Sequence, residues 1–220
     1  MSVRPDELSG KKESSALKPR KSPLQSRARK TVERIMDAAA SILDEQAVDR
    51  ITTNQIAERA NVNIASLYQY FPNKFAIVIA LAERIREEHK IVLEEAITSR
   101  TGEFSWERDM VQYNLNALAA AVRIEGYIGT WLALRTTPEL SKFYHDLGLD
   151  TAKWLLPHME KAMPNYDSDV LKIITEMLVE TGAMVLDRYA KDGKDKADTF
   201  AREIGRMQSL YLHSYIDAMP

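Results

Sequence analysis

The sequence predicts an all-α fold, and three of its features lead to that prediction. Glycine and proline are scarce, eight of each in 220 residues, and they fall mostly where periodic segments end. Apolar residues recur at helical spacing, whereas no segment shows the sustained alternation of apolar and polar residues that a half-buried strand requires. The hydrophobic share of 45% is an ordinary globular value, so the chain is able to form a core.

The first helix is expected over about residues 29–45. Val32, Ile35, Ala39 and Ile42 recur in this segment at helical spacing, which gives it one apolar face. An amphipathic helix follows from this pattern.

A second, short helix is marked by its N-terminus. Thr52 is followed three residues later by Gln55, which is the spacing of a capping box, in which each side chain bonds the backbone N–H of the other residue. These residues predict a helix over Thr53–Ala60. Asn61 follows, and asparagine tolerates the left-handed conformation that often ends a helix.

A third helix and a long fourth helix follow after short breaks. Asn63 can cap the third helix, and Pro72 prevents that helix from continuing. Asn73 can cap the fourth, which is expected to run from Lys74 to about Thr98. Two short helices joined by a turn of about three residues form the helix-turn-helix pattern, but an ordinary corner in a helical bundle has the same spacing.

The rest of the chain is expected to form an all-helical body. Pro138, Pro164 and Gly193 separate its periodic segments, and the last two segments are long and amphipathic. The predicted helices lie near residues 105–121, 123–135, 138–162, 168–191 and 195–217.

Charge is distributed unevenly along the chain. Residues 1–30 carry nine lysines and arginines against three acidic residues, a net of +6, whereas the remaining residues carry a net of −8. Residues 1–25, which contain three prolines and several serines, are expected to be disordered. A basic arm on an acidic body is common in nucleic-acid-binding proteins, but a solvated leader that aids solubility fits the same pattern.

Composition excludes or disfavours several classes of protein. The chain has no cysteine, which excludes a disulfide scaffold, a thiol nucleophile and a cysteine-based zinc site. No stretch approaches the roughly 18 apolar residues of a membrane span, and the polar, basic N-terminus is not a secretory signal. The four histidines are far apart in the sequence and there is no glycine-rich phosphate loop, so we expect no enzyme, no cofactor and no metal. The lack of cysteine suits a reducing compartment, so a cytoplasmic location is expected.

The third helix presents two chemically different faces. A helical residue advances by about 100°, which places Leu67 and Phe71 on the inward face and Gln69 on the opposite one, where it can pair with base edges. Tyr68 and Tyr70 lie on the flanks, where their hydroxyls can reach phosphates, although tyrosines also pack at seams between helices. The predicted DNA-contacting residues are Thr52, Thr53, Asn54, Ala65, Ser66, Tyr68, Gln69, Tyr70 and Lys74.

Two segments, RARKTVERIMDAAASIL and ITTNQIAERANVNIASLYQYFPNK, resemble the DNA-binding signature of the TetR family of transcriptional regulators. The resemblance covers roughly residues 26–80. It implies an Ω-shaped, all-helical homodimer that binds a palindromic double-stranded DNA operator, usually as a repressor. After the basic arm over residues 1–25, which composition predicts to be disordered, the resemblance implies a helix-turn-helix DNA-binding domain over 26–73 and a helical ligand-binding and dimerisation domain over 74–220.

The chain departs from the family pattern at two positions, because glycine is usual where Ala47 and Asn61 stand. Asn61 is expected to tolerate a left-handed cap. At Ala47 a positive φ would cost about 1 kcal/mol, unless the first helix ends in another way.

The family resemblance further implies a small-molecule effector, bound in the C-terminal part. A regulator without an inducer, controlled by a protein partner or by its abundance, fits the sequence as well. The last two long helices are the candidates for the dimer seam. The candidate pocket residues, each of which also suits a plain core position, are Tyr113, Tyr127, Trp131, Phe143, Trp154 and Met184.

Overall fold

The computed structural model describes residues 26–99 and 105–216, so the predicted basic arm over residues 1–25 lies outside the described residues. Within those ranges the chain is helical and contains no strand, which confirms the predicted all-α class. Two short 3-10 turns, Val48–Arg50 and Pro138–Leu140, interrupt the α-helices. The α-helices are α1 (Ser26–Glu45), α2 (Thr53–Arg59), α3 (Ile64–Tyr70), α4 (Lys74–Thr98), α5 (Trp106–Arg123), α6 (Tyr127–Thr136), α7 (Ser141–Ala162), α8 (Ser168–Asp192) and α9 (Lys194–Ile216).

Each predicted helix is present within a few residues of its expected limits, and the largest difference is at α6. That helix was expected from residue 123, but α5 continues to Arg123 and α6 begins only at Tyr127. Gly126 lies between them with a left-handed φ of 75°, a conformation that breaks a helix and that glycine adopts without strain. The segment expected at 138–162 begins as a 3-10 turn and becomes α-helical at Ser141.

The predicted helix caps around α2 and α3 are confirmed. Thr52 and Gln55 form both bonds of the capping box, and the side chain of Asn63 accepts a bond from the backbone N–H of Ala65. Asn61 has a left-handed φ of 51°. Ala47 is extended, with φ −65° and ψ 148°, so α1 ends without the strain that a positive φ would impose there.

The chain forms two compact units that do not follow chain order. The first unit contains the described residues up to Glu87 together with Ile124–Ser141, and the second contains the described parts of Glu88–Arg123 and of the chain from Lys142 onward. The first unit thus includes residues 124–141, which the sequence analysis placed in the C-terminal domain. The functional division at residues 25 and 73 stays a prediction.

In the first unit, α6 lies unusually close to α1 because two glycines face it. A Cβ added to Gly129 would lie 2.3 Å from the carbonyl oxygen of Leu43, and one added to Gly126 would lie 2.5 Å from the Cβ of Ala40. The Asp44 carboxylate accepts a 2.9 Å hydrogen bond from the backbone N–H of Gly126. The two helices therefore pack backbone against backbone, with one polar contact at the start of α6.

In the second unit, α5, α8 and α9 pack around a core that includes a buried amide pair. The Asn114 side-chain nitrogen donates to the Gln208 side-chain oxygen at 2.7 Å, and both residues are buried. Gln208 in turn donates to the carbonyl oxygen of Leu178 at 3.0 Å and to the hydroxyl of Thr181 at 2.9 Å. These bonds join all three helices, so each buried amide has partners inside the core.

Candidate nucleic-acid interface

The helices α2 and α3 are joined by a tight turn whose backbone bonds are satisfied locally. The N–H of Asn61 bonds the carbonyl of Glu58 at 3.0 Å, and the N–H of Val62 bonds the carbonyl of Ala57 at 2.9 Å. The left-handed φ of Asn61 allows these two bonds to form, as in the usual helix C-terminal motif. Two short helices and a tight turn are the arrangement that the helix-turn-helix pattern predicts.

Helix α3 is anchored by two fully buried side chains, Leu67 and Phe71. Phe71 was expected to be helical, but its backbone is extended, with φ −123° and ψ 118°, because the ring of the following Pro72 disfavours the helical conformation before it. Ile64, the first residue of α3, is only half-buried. The anchor of α3 therefore combines one helical residue and one capping residue.

The outer face of α3 is accessible. Ala65 and Gln69 are exposed, Tyr68 is 41% exposed, and Ser66 and Tyr70 are half-buried. All five belong to the predicted set of DNA-contacting residues. Their accessibility leaves them available to an external partner, while the contacts themselves stay a prediction.

The start of α2 carries the remaining predicted contacts and is tied to α3. Thr52 and Asn54 are exposed, and Thr53 is half-buried. The hydroxyls of Thr53 and Tyr68 lie 2.8 Å apart and share a hydrogen bond. A polar contact thus joins the two short helices on the accessible side of the helix-turn-helix.

Ion pairs hold the helix-turn-helix to its neighbours. Arg59, in the last turn of α2, donates to both carboxylate oxygens of Glu45 at 2.5 and 3.0 Å and to the hydroxyl of Ser41 at 3.1 Å. This bidentate bond lowers the pKa of Glu45 below its usual value. Arg84 of α4 donates to the Asp37 carboxylate of α1 at 2.6 Å. These charged hydrogen bonds, which are partly exposed to solvent, add to the apolar packing of α2 and α4 on α1.

Lys74, the first residue of α4, makes contacts that the sequence analysis missed. Its ammonium donates to the backbone carbonyls of Val48 at 2.7 Å, Ile51 at 3.0 Å and Asp49 at 3.2 Å. No sequence signal could have revealed these contacts, because backbone carbonyls are present at every residue. The side chain of Asn73 accepts a 2.9 Å bond from the N–H of Ala76, which confirms its predicted role as the cap of α4.

The six candidate pocket residues belong to both compact units, and two of them pack against the same core cluster. Tyr113 and Trp154 both pack against a core cluster of the second unit that includes Trp106 and Met159, and burial raises the pKa of Tyr113 to about 12. Met184 of the same unit is 47% exposed. Phe143 is half-buried near the start of α7, and Tyr127 and Trp131 belong to the first unit. Tyr113 and Trp154 thus share surroundings, and a pocket lined by the six residues stays a prediction.

Two of the histidines have well-defined surroundings in the second unit. His89 lies in α4, where burial lowers its pKa to about 4. The ring of His158 lies beside that of Trp154, with 5.6 Å between the centroids, and its Nε2 lies 3.3 Å from a carboxylate oxygen of Glu94. Among the described residues there is no group of three or more histidine, aspartate or glutamate side chains arranged to hold a metal ion.

The described helices were compared with the length and hydropathy that a membrane span requires. No single helix there is long and apolar enough to cross a membrane. Helices α5 and α6 reach that length and hydropathy only when they are counted together.

Comparison with known proteins identifies the helix-turn-helix region. The family model described as "Bacterial regulatory proteins, tetR family" matches residues 35–81. An uncharacterized HTH-type transcriptional regulator of Bacillus subtilis, YvkB, is 37% identical over 67 residues, which are 30% of this chain and 35% of that protein. The tetracycline repressor protein class A from transposon 1721, in Escherichia coli, is 42% identical over 55 residues, which are 25% of this chain and 26% of the repressor. These matches thus span 35% or less of the relatives' own length.

A solved structure extends the likeness to most of the chain. A TetR-family transcriptional regulator from Streptomyces coelicolor is 30% identical, with a TM-score of 0.54, and the match covers 81% of this chain and 96% of that one. The family match over residues 35–81 contains α2, the turn and α3. This chain belongs to the TetR family of transcriptional regulators.

Proposed function

We propose that the protein is a homodimeric DNA-binding repressor that reads a palindromic operator with α3 in the major groove. The observation that carries this proposal is the division of α3 into a buried anchor, Leu67 and Phe71, and an accessible face around Gln69. A helix anchored on one side and polar on the other suits insertion into a groove about 12 Å wide.

Each accessible residue of the helix-turn-helix has a role that follows from its chemistry. The Gln69 amide can donate to and accept from an adenine edge, and the small side chains of Ala65 and Ser66 allow close approach to the bases. The hydroxyls of Tyr68 and Tyr70 are suited to phosphates, which set the register of the protein on DNA.

Two further elements supply backbone-positioning contacts in this proposal. The side chains of Thr52, Thr53 and Asn54 stand at the start of α2, beside the hydroxyl of Tyr68. At Lys74 the first backbone N–H groups of α4, a helix of 25 residues, attract a phosphate through the positive end of the helix dipole.

Dimerisation through α8 and α9 is supported by apolar side chains that the second unit leaves exposed. On α8, Val170, Ile173, Met177 and Met184 fall within an arc of about 60° when each residue advances by 100°. On α9, Leu210 is 71% exposed. An apolar stripe of this kind is unusual on a monomer surface and suits burial against a second copy. A two-fold dimer would then present two α3 helices to half-sites about 34 Å apart, or a multiple of that distance.

A small apolar or aromatic effector is the proposed signal that releases the operator. Support comes from the family, whose Escherichia coli relative is named a tetracycline repressor, and from the aromatic surroundings that Tyr113 and Trp154 share. An effector that binds one dimer conformation more tightly shifts the spacing of the two α3 helices, and operator DNA must weaken effector binding by the same factor.

The test is selection of bound sequences from random double-stranded DNA, with and without a small-molecule extract. A palindrome enriched by the wild type, and released when extract is added, supports the whole proposal. Gln69→Ala is expected to relax the base preference at one position of each half-site, whereas Gln112→Ala, in α5, is the matched control and retains it. Absence of any enriched sequence contradicts operator recognition, and an operator that no extract releases contradicts the effector.

A further inference from the structure

The side chain of Lys74 connects the start of α4 to the turn that precedes α2. A lysine ammonium has three N–H donors, and three backbone carbonyls lie within hydrogen-bond distance of Nζ, those of Val48, Asp49 and Ile51. Every donor of this ammonium is therefore matched by an acceptor of the protein's own backbone.

The three carbonyls belong to the short turn that leads into α2. Ile51 is the residue immediately before Thr52, the cap of α2, and Lys74 is the first residue of α4. The contact thus joins the two ends of the segment 52–73, which contains α2, the turn and α3. A contact at this place limits how far the pair of short helices can shift relative to α4.

Two other polar contacts of this segment join it to α1 and join its two short helices to each other. Arg59 ties the far end of α2 to Glu45 of α1, and Thr53 joins α2 to Tyr68 of α3. The start of α2, where Ile51 and Thr52 lie, is linked to α4 by the Lys74 ammonium. Without the Lys74 ammonium, the carbonyls of Val48, Asp49 and Ile51 would have to bond water instead, and this link would be lost. The buried anchors of α3, Leu67 and Phe71, would remain.

We infer that Lys74 is a positioning residue whose ammonium clamps the 48–51 turn to the start of α4, and that this ammonium is not the group that neutralises an operator phosphate. The inference rests on the proposed function, since the segment that the clamp positions is the proposed reading segment. Under this inference, the operator phosphate near the start of α4 is bound by the first backbone N–H groups of that helix.

The dependence of binding on salt separates a clamp from a phosphate ligand. A cation that neutralises one phosphate contributes about 0.9 to the slope of log K against log salt, whereas a clamp contributes nothing to the slope. Arginine also separates them, because its long planar guanidinium can replace lysine at a phosphate but does not fit three carbonyls that converge on one point.

The experiment compares Lys74→Met and Lys74→Arg with Lys161→Met, which removes an exposed lysine of α7, at a temperature where all the proteins are folded. The clamp predicts that both Lys74 variants bind the selected operator about tenfold or more weakly with an unchanged salt slope, and that Lys161→Met binds as the wild type does. It also predicts faster hydrogen exchange at the first amides of α2 in the free protein.

Two results would overturn the inference. A salt slope lowered by about one in Lys74→Met, with affinity restored in Lys74→Arg, identifies a phosphate ligand. If the folded Lys74→Met protein binds the operator as tightly as the wild type does, the Lys74 contact stabilises the fold but does not position the reading segment. A wild type that selects no operator contradicts the proposed function instead, and the exchange rates in the free protein then decide whether the clamp itself exists.

Discussion

Replacement of Gly129 by alanine places a methyl group where α6 meets α1 backbone to backbone. The new Cβ would lie 2.3 Å from the carbonyl oxygen of Leu43 and 2.4 Å from its carbonyl carbon, well below van der Waals distance. Neither backbone group can rotate away as a flexible side chain would. The two helices must therefore separate locally, and we expect the variant to be less stable than the wild type.

The expected magnitude follows from two opposing terms. Overpacking of a tight contact costs about 1–3 kcal/mol, and a clash between backbones belongs at the upper end of that range. Alanine is about 1 kcal/mol more favourable than glycine inside a helix. The net loss is about 2 kcal/mol, which for a chain of this length corresponds to a melting temperature lowered by about 4–8 °C.

Gly148→Ala is the matched control, because Gly148 lies inside α7 and an added Cβ there would meet nothing within 4 Å. This variant retains only the gain in helix propensity, so its melting temperature is expected to rise by about 2–4 °C. Thermal unfolding followed by far-ultraviolet circular dichroism, at one fixed protein concentration, measures both variants. A Gly129→Ala protein that melts at or above the wild-type temperature would refute the close packing of α6 on α1.

Three further predictions concern the second unit. Burial lowers the pKa of His89 from 6.5 to about 4, so the unfolded state binds the proton first as pH falls. The free energy of unfolding is therefore expected to decline between pH 6.5 and 4, by at most about 3 kcal/mol. The decline should be smaller in His89→Gln, and identical profiles of melting temperature against pH for the two proteins would contradict this. Asn114→Ala leaves the side-chain oxygen of Gln208 without its partner in the core, which is expected to cost about 1–3 kcal/mol in urea unfolding, and an unchanged midpoint would contradict this. Leu210→Glu places a charge among the exposed apolar side chains of α8 and α9 that are proposed to form the dimer interface. Sedimentation is therefore expected to show a 25.0 kDa monomer for the variant and twice that mass for the wild type. A variant that remains dimeric would exclude Leu210 from the interface.

The agreement between sequence and structure is closest where the determinants are local. The Thr52–Gln55 capping box, the Asn63 and Asn73 caps and the left-handed Asn61 were all predicted from residues a few positions apart, and all are present. Phe71 is the exception, because it was predicted to be helical although the proline after it disfavours that conformation, and its backbone is extended.

The agreement is weaker where a side chain's role depends on distant neighbours. The last two helices were predicted to be amphipathic, but their apolar residues differ in burial. Ile173 on α8 and Leu210 on α9 are exposed, whereas Leu186 and Leu212 on the same two helices are buried. Periodicity identifies apolar residues without stating which of them pack inside one chain. The proposed dimer interface on α8 and α9 therefore could be identified only from the structure, as the apolar residues that the fold leaves exposed.

Helix limits, caps and the anchored third helix are properties of short stretches of chain, because propensity, capping and backbone sterics act between residues within one turn of each other. Family membership could be read from the same stretches. The close approach of Gly129 to Leu43, the amide pair of Asn114 and Gln208 and the contacts of the Lys74 ammonium join positions far apart in the chain. Such contacts depend on how whole helices pack, and no local pattern encodes the partner that packing brings into reach.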